Sequence, residues 1–326
     1  MMIKKTITIS IPNIPENRRG IDAIQTWSDS IPTVYFLDIC SISRIKTQLA
    51  KDNDEIIPGD QHLSSLKSID LTQNAISYFP ALMEKASNQK NKVSAEELIE
   101  EATNDFVAIG SFFERAKIFE PKDFVFSYIK ELNGAHPEIL GERYHSFLTF
   151  VNASGIYNPL AASKRIGAAK SICNEADKLE ICKAHPIVLA SLACIYGCLS
   201  AKKVMKFKKD PSDFNPSNAL GDIQTIQRIG LLSQEIEETG RNGSGAYLRT
   251  CFITHDEHLE KFYNFFTVND VKTELNDNGS KNEFNVSVKS RHIFPDLYGD
   301  NGGLKNSDCE QELLKIYEII GAKAPA

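Results

Sequence analysis

Three carboxylates in this chain stand where a fold could bring them together. Asp38 follows the apolar run Val34-Tyr35-Phe36-Leu37, and Asp256 follows Cys251-Phe252-Ile253-Thr254. Asp222 opens the helical run Ile223-Gln224-Thr225-Ile226-Gln227-Arg228-Ile229. Short continuous apolar runs suit strands buried on both faces. In an open parallel sheet, ligands sit beyond the carboxyl ends of the strands. Acids delivered there by separate elements share one crevice and repel one another unless a cation joins them. Oxygen donors suit hard divalent ions, Mg²⁺ or Mn²⁺, which can activate water and stabilise the charge of an in-line phosphodiester displacement. Taken singly, each Asp has a commoner use as a helix N-cap or a solvated loop end.

Other chemistries have less support. His255 and His258 in the HDEH stretch could hold a transition metal, but His62, His136, His145, His185 and His292 lack the spacing that an HD-type phosphohydrolase needs. A phosphoaspartyl enzyme of the haloacid dehalogenase kind would carry a second Asp two residues after Asp38, and Cys40 is there instead. No P-loop or GxGxxG run is present, and no Ser or Cys sits in a nucleophile elbow.

The segments VYFLDIC, AISYFPALMEKA, NALGDIQTIQRIG and CFITHDEHL resemble, in this order, the four acidic motifs of PIN-like nucleases. The resemblance spans residues 30–88 and 216–266, and ITHDEHL is its most specific part. It implies an α/β/α sandwich with a mostly parallel central sheet, and hydrolysis of RNA, less often DNA, with Mg²⁺ or Mn²⁺. Asp38, Glu84, Asp222 and Asp256 would be the catalytic, metal-holding carboxylates, with Asp213 the alternative third member. Thr254 would support the pocket, and Ser41, Arg44 and His255 would meet the substrate. Cys40 takes a position where the family usually has Asn or Ser. The reading is a metal-dependent endonuclease, RNA ahead of DNA, of a kind that serves as a toxin or an antiphage effector. Its rival is a PIN-like module that binds nucleic acid or protein without cleaving.

The elements that must position these residues follow from periodicity. Ser94 and Glu97 form a capping box with Val93 and Leu98 as staple, and Leu98, Ala102, Phe106, Ile109 and Phe113 recur at helical spacing. Residues 91–205 read as a mostly helical insertion, punctuated by Pro121, Gly134 and Pro186, between an α/β core portion at 1–90 and its completion at 206–326. Pro186 to Ala201 reads as one buried helix, too short to span a bilayer. Ile223, Ile226, Ile229 and Leu232 mark an apolar helix face with Gln224, Gln227 and Arg228 outside it. Arg241 to Gly245 is a flexible connection, and Phe284 to Val288 is an alternating strand inside an Asn- and Gly-rich tail.

Over 326 residues, 37 basic and 43 acidic side chains give a net charge of −6, which argues against nucleic-acid coating by bulk charge. The basic run Lys202, Lys203, Lys206, Lys208 and Lys209 ordinarily complements a helix end; beside a nuclease pocket it could hold phosphates, as could Arg44 and Lys46. Seven cysteines without a CxxC pair suit a reducing compartment. Ile7, Ile9 and Ile11 alternate with Thr8 and Ser10 as in a strand, not a signal peptide. The expectation is a cytoplasmic protein without a membrane partner. It could also form homo-oligomers or answer to a regulatory protein.

Overall fold

The computed structural model describes residues 18–51, 60–86, 93–132, 140–158, 160–276 and 279–322. The N-terminal alternating stretch and Gly134 lie outside these residues. Helix α1 (Arg18–Asp29) leads into strand β1 (Thr33–Leu37), the helix pair α2 (Ile39–Leu49) and α3 (Gln61–Ser68), and strand β2 (Ala75–Ser77). Next come α4 (Phe79–Ala86), α5 (Ala95–Phe112), strand β3 (Lys117–Ile118) and α6 (Lys122–Leu132). Five helices follow: α7 (Gly141–Ala153), α8 (Ala162–Lys178), α9 (Pro186–Ile195), α10 (Leu199–Met205) and the long α11 (Pro216–Arg241). Strand β4 (Arg249–Ile253) and α12 (Glu257–Tyr263) precede a hairpin of β5 (Phe266–Asn276) and β6 (Gly279–Val288), then α13 (Ser290–Ile293) and α14 (Ser307–Ile320).

The chain is mixed α/β around a parallel four-stranded sheet in the order β3-β2-β1-β4. β1 is central, and its Val34, Phe36 and Leu37 are all buried, as a strand covered on both faces requires. Val34 faces Ala75 on one side and Thr250 on the other. Because β2 and β4 flank β1, the strand order reverses there, and the crevice beyond β1 and β4 is the topological switch point.

Three hydrophobic clusters cover the sheet and its flank. Leu37, Ile42, Leu63, Ile76, Phe106 and Ile129 belong to the first, built by α2 to α6. On the opposite face Val34, Phe36 and Ala75 meet Ile229 of α11. The third joins α7 to α14 through Phe147, Leu192, Ile223, Phe262 and Ile316. The division inside the 91–205 block therefore falls between α6 and α7. α5 and α6 cover the sheet, and β3 belongs to it; only the helices from α7 onward form a separate layer. Asp70 secures that return to the sheet by accepting hydrogen bonds from the backbone N–H groups of Glu114, Arg115 and Ala116 at 3.0, 2.8 and 2.8 Å.

Local signals hold where they are short-range. Ser94 and Glu97 make both bonds of the capping box, and Leu98, Ala102, Phe106, Ile109 and Phe113 are buried together. Two expectations are corrected. The apolar stretch 186–201 is two helices, because the chain turns at Gly197 with φ +81°, where an added Cβ would stand 2.5 Å from Asp296 Oδ1. Gln224 and Arg228 are buried, since α11 packs on more than one face. The alternating strand expected at Phe284 to Val288 is present, paired in the antiparallel β5–β6 hairpin apart from the main sheet. Among the described residues no helix is long and apolar enough to cross a membrane.

One buried imidazole ties this layer to pH. His185 is the N-cap of α9, its Nδ1 accepts from the N–H of Ile187 at 3.2 Å, and its ring lies 4.6 Å from that of Tyr144. Burial, only partly offset by Gln227, pushes its pKa down to about 4. Between that value and the ordinary 6.5 the unfolded chain binds a proton that the folded chain does not, so stability falls as pH drops through this window. From pH 7 to pH 5 the wild type should lose about 2 kcal/mol relative to His185→Asn, which keeps a capping oxygen without a titrating ring. Urea unfolding of both proteins at the two pH values checks this; equal acid losses would refute it.

Candidate functional site

Asp38 and Asp256 end β1 and β4 and cap the helices that follow. Asp38 Oδ1 accepts from the N–H of Ser41 at 2.7 Å, and Asp256 Oδ1 accepts from those of His258 and Leu259 at 2.8 and 3.0 Å. The common use of Asp as a cap is thus realised at both positions, and each cap also aims its carboxylate at the switch point. Thr254 links them: its hydroxyl donates to Asp38 Oδ2, and its Oγ1 accepts from the N–H of Asp256 at 2.9 Å. Thr254→Val keeps the shape but leaves both groups without their partner. It should cost about 2 kcal/mol in urea unfolding, with Thr254→Ser recovering most of the loss; a Val variant as stable as wild type would contradict the bridge.

Glu84 comes from α4 and Asp222 from α11. Asp222 does not open its helix. It lies beyond the first turn, because α11 begins at Pro216 behind the cap of Asn215. Gly221 lets the two approach, since a Cβ there would stand 3.3 Å from Glu84 Cγ. Burial, then Asp222 and Asp38, pushes the Glu84 carboxyl up to about 7, against the pull of Lys206 and Arg228. Burial foremost raises Asp222 to about 6, with Asp256 and Asp38 adding to it and Lys206 opposing. The Cys40 thiol feels all four acids: burial, Asp38, Glu84, Asp222 and Asp256 drive it up to about 12, so it stays protonated. Asp213 ends an exposed turn of 3-10 helix and takes no part.

The four acids therefore share one field, yet among the described residues no three His, Cys, Asp or Glu side chains stand close enough to hold a metal ion as placed. Mutual repulsion keeps bare carboxylates apart. Lys206 also occupies the cluster, its Nζ 2.7 Å from Asp222 Oδ2. The donor set is all oxygen, with Glu84 and Asp222 raised by burial and by the neighbouring acids, and such a set fits a hard divalent cation.

The expected substrate residues separate. Ser41 is fully buried, its Oγ 3.2 Å from His62 Nε2 and donating to the carbonyl of Ile253 at 3.3 Å, so it supports the site from beneath. Arg44 is bound to Asp60, with Nε 2.6 Å from Oδ2. His255 is exposed, and its ring meets that of His62 at 4.8 Å rather than pairing with His258. Arg44, His62, Thr254 and His255 line an open groove of about 600 Å³ beside Asp38. His62 has no signal in the sequence, because only the fold sets it beside Ser41 of α2 and the ring of His255. Lys206 was one lysine in a run of five. No family model, no curated protein and no solved structure matches this chain.

Proposed function

We propose that this chain is a metal-dependent nuclease of PIN-like type, an endonuclease acting on RNA ahead of DNA. One observation carries the reading. Carboxylates from four separate elements, Asp38, Glu84, Asp222 and Asp256, act on one another at the switch point of a parallel sheet. Such a cluster costs stability unless it holds a cation, so the fold keeps it for what it binds. Asp38, Glu84, Asp222 and Asp256 would hold Mg²⁺ or Mn²⁺. When bound, the ion supplies a more acidic water and neutralises charge on the phosphate. The chain's own residues do the rest. The caps of α2 and α12 orient Asp38 and Asp256, Thr254 fixes their separation, and the groove beside them offers His62, His255 and Arg44 to the flanking strand.

The direct test incubates the protein with single-stranded RNA, tRNA and DNA in Mn²⁺, Mg²⁺ or EDTA. Metal-dependent cleavage supports the reading, and the preferred substrate assigns its class. The second reading, a binding module that does not cleave, draws on the separated carboxylates and on Lys206 among them. Binding of RNA without cleavage, and no rise in melting temperature with Mn²⁺, would favour it.

A further inference from the structure

The basic run of Lys202, Lys203, Lys206, Lys208 and Lys209 lies against the acidic cluster. Lys206 makes the junction, its Nζ 2.7 Å from Asp222 Oδ2. Helix α10 packs against both α11, which holds Asp222, and α12, which Asp256 caps. Lys202 and Lys203 share the outer face of α10 with Lys206, one turn on, while Ala201, Val204 and Met205 are buried. Lys208 and Lys209 follow in a pinned loop. The N–H of Lys208 donates to Asn152 Oδ1 at 2.8 Å, and Phe207 packs on Phe214 with ring centres 5.5 Å apart.

A helix end explains only part of this run. Lys202 and Lys203 complement the carbonyl end of α10, but Lys208 and Lys209 lie beyond it. Among the described residues none of these four makes an ion pair, although the whole chain carries a net charge of −6. Asp210, the next residue, commits its Oδ1 to the N–H and hydroxyl of Ser212 at 2.9 and 2.8 Å, and Asp213 ends the same exposed turn. Like charges gathered without counter-charges from the chain suit a polyanion.

The groove beside Asp38 has the opposite character. Its walls come from α2 and α3, on the face of the sheet opposite α11. Arg44 there is already bound to Asp60, and Glu257 and Glu260 complete the lining. That groove can seat a nucleotide at His62 and His255, but its lining offers a phosphate chain no unpaired Lys or Arg.

We propose that Lys202, Lys203, Lys208 and Lys209 form the docking surface for a nucleic-acid backbone, which crosses α10 and reaches the acidic cluster past Lys206. This rests on the nuclease reading for the identity of the polyanion. The four lysines supply affinity and take no part in bond cleavage.

The test measures binding of a fluorescent single-stranded oligouridylate in EDTA, where metal-dependent cleavage does not run, over a series of salt concentrations. A variant with all four lysines replaced by Gln is compared with wild type and with Arg44→Gln. The pairs Lys202→Gln/Lys203→Gln and Lys208→Gln/Lys209→Gln are also made separately and serve if the fourfold variant does not fold. Each single-strand phosphate contact contributes about 0.7 to the slope of log affinity against log salt. The fourfold variant should show a slope smaller by about 2–3 and an affinity at least about tenfold lower, with Arg44→Gln close to wild type. In Mn²⁺ it should raise KM for the RNA and leave kcat unchanged. A lysine variant with the wild-type slope and affinity would overturn the proposal, and so would an equal loss in Arg44→Gln. Cleavage by a wild type that does not bind measurably would overturn it too. In each of these cases metal-dependent cleavage leaves the nuclease reading standing. A wild type that neither binds nor cleaves RNA would overturn both.

Discussion

Asp38→Asn should abolish metal-dependent cleavage while leaving the fold intact. Asn caps a helix about as well as Asp, so the bond from the N–H of Ser41 that starts α2 survives. The substitution removes one negative charge from a cluster that raises Glu84 and Asp222 by burial and by mutual repulsion, so stability should not fall by more than about 1 kcal/mol from the altered contact to Thr254. Function should respond quite differently. Loss of a partner outside the coordination shell commonly costs about 10–100-fold in metal affinity or activity, so losing a direct donor should cost more than about a hundredfold. Cleavage rates in Mn²⁺, paired with melting temperatures in Mn²⁺ and EDTA, check this. A variant within tenfold of the wild-type rate would remove Asp38 from the site.

Asp105→Ala should be the most damaging of these substitutions to stability. Asp105 is fully buried on α5 and gathers three groups, two from other helices and one from the junction between β2 and α4. Lys46 Nζ of α2 lies 2.9 Å from Oδ1, and Lys85 Nζ of α4 lies 2.6 Å from Oδ2. The hydroxyl of the fully buried Tyr78 donates to Oδ2 at 2.9 Å. Removing one partner of a buried ionic network costs roughly 3–5 kcal/mol. Lys46 is about half exposed and can regain water, which places the expected loss near the lower end, about 3 kcal/mol. In a chain of this size that is on the order of 5–10 °C in melting temperature. Tyr78→Phe removes one bond of the three and should cost about 1 kcal/mol. Equal losses in the two variants would mean that the lysines contribute nothing. The network also bears on the site, because α2 is the helix that Asp38 caps and α4 carries Glu84. Asp105→Ala should therefore weaken Mn²⁺ binding as well, although Asp105 lies outside the cluster.

The parts of the fold that could be read from the sequence are those whose cause lies within a few residues. A run of Val, Tyr, Phe and Leu ending in Asp is a buried strand followed by a cap, as at Asp38. The Cys251–Ile253 run before the Asp256 cap is also a strand, but it lies at the edge of the sheet, half-buried and with Cys251 exposed, where burial on both faces is the expectation. The capping box at Ser94 and the apolar spacing of α5 are likewise local. Where a reading went wrong, a distant contact decided the matter. Gly197 breaks an apolar stretch because Asp296, about a hundred residues later, lies against it. Gln224 and Arg228 are polar but buried, because α11 meets the sheet on one side and other helices elsewhere. The regular spacing of Ile223, Ile226 and Ile229 suggests a helix start at Asp222, whereas Pro216 and the Asn215 cap set the true start.

By itself the sequence determined the buried strand before Asp38, the capping box and apolar face of α5, and four acids in an order that suggests a cation. Only the tertiary structure decided that β4 lies beside β1 and so created the crevice. It alone placed Lys206 on Asp222, His62 against His255, and Asp105 beneath the helices of the site. The reason is one of range. Propensity, capping and periodicity act over a turn or a strand, while the choice of neighbours depends on which crossovers bury the most apolar surface across the whole chain.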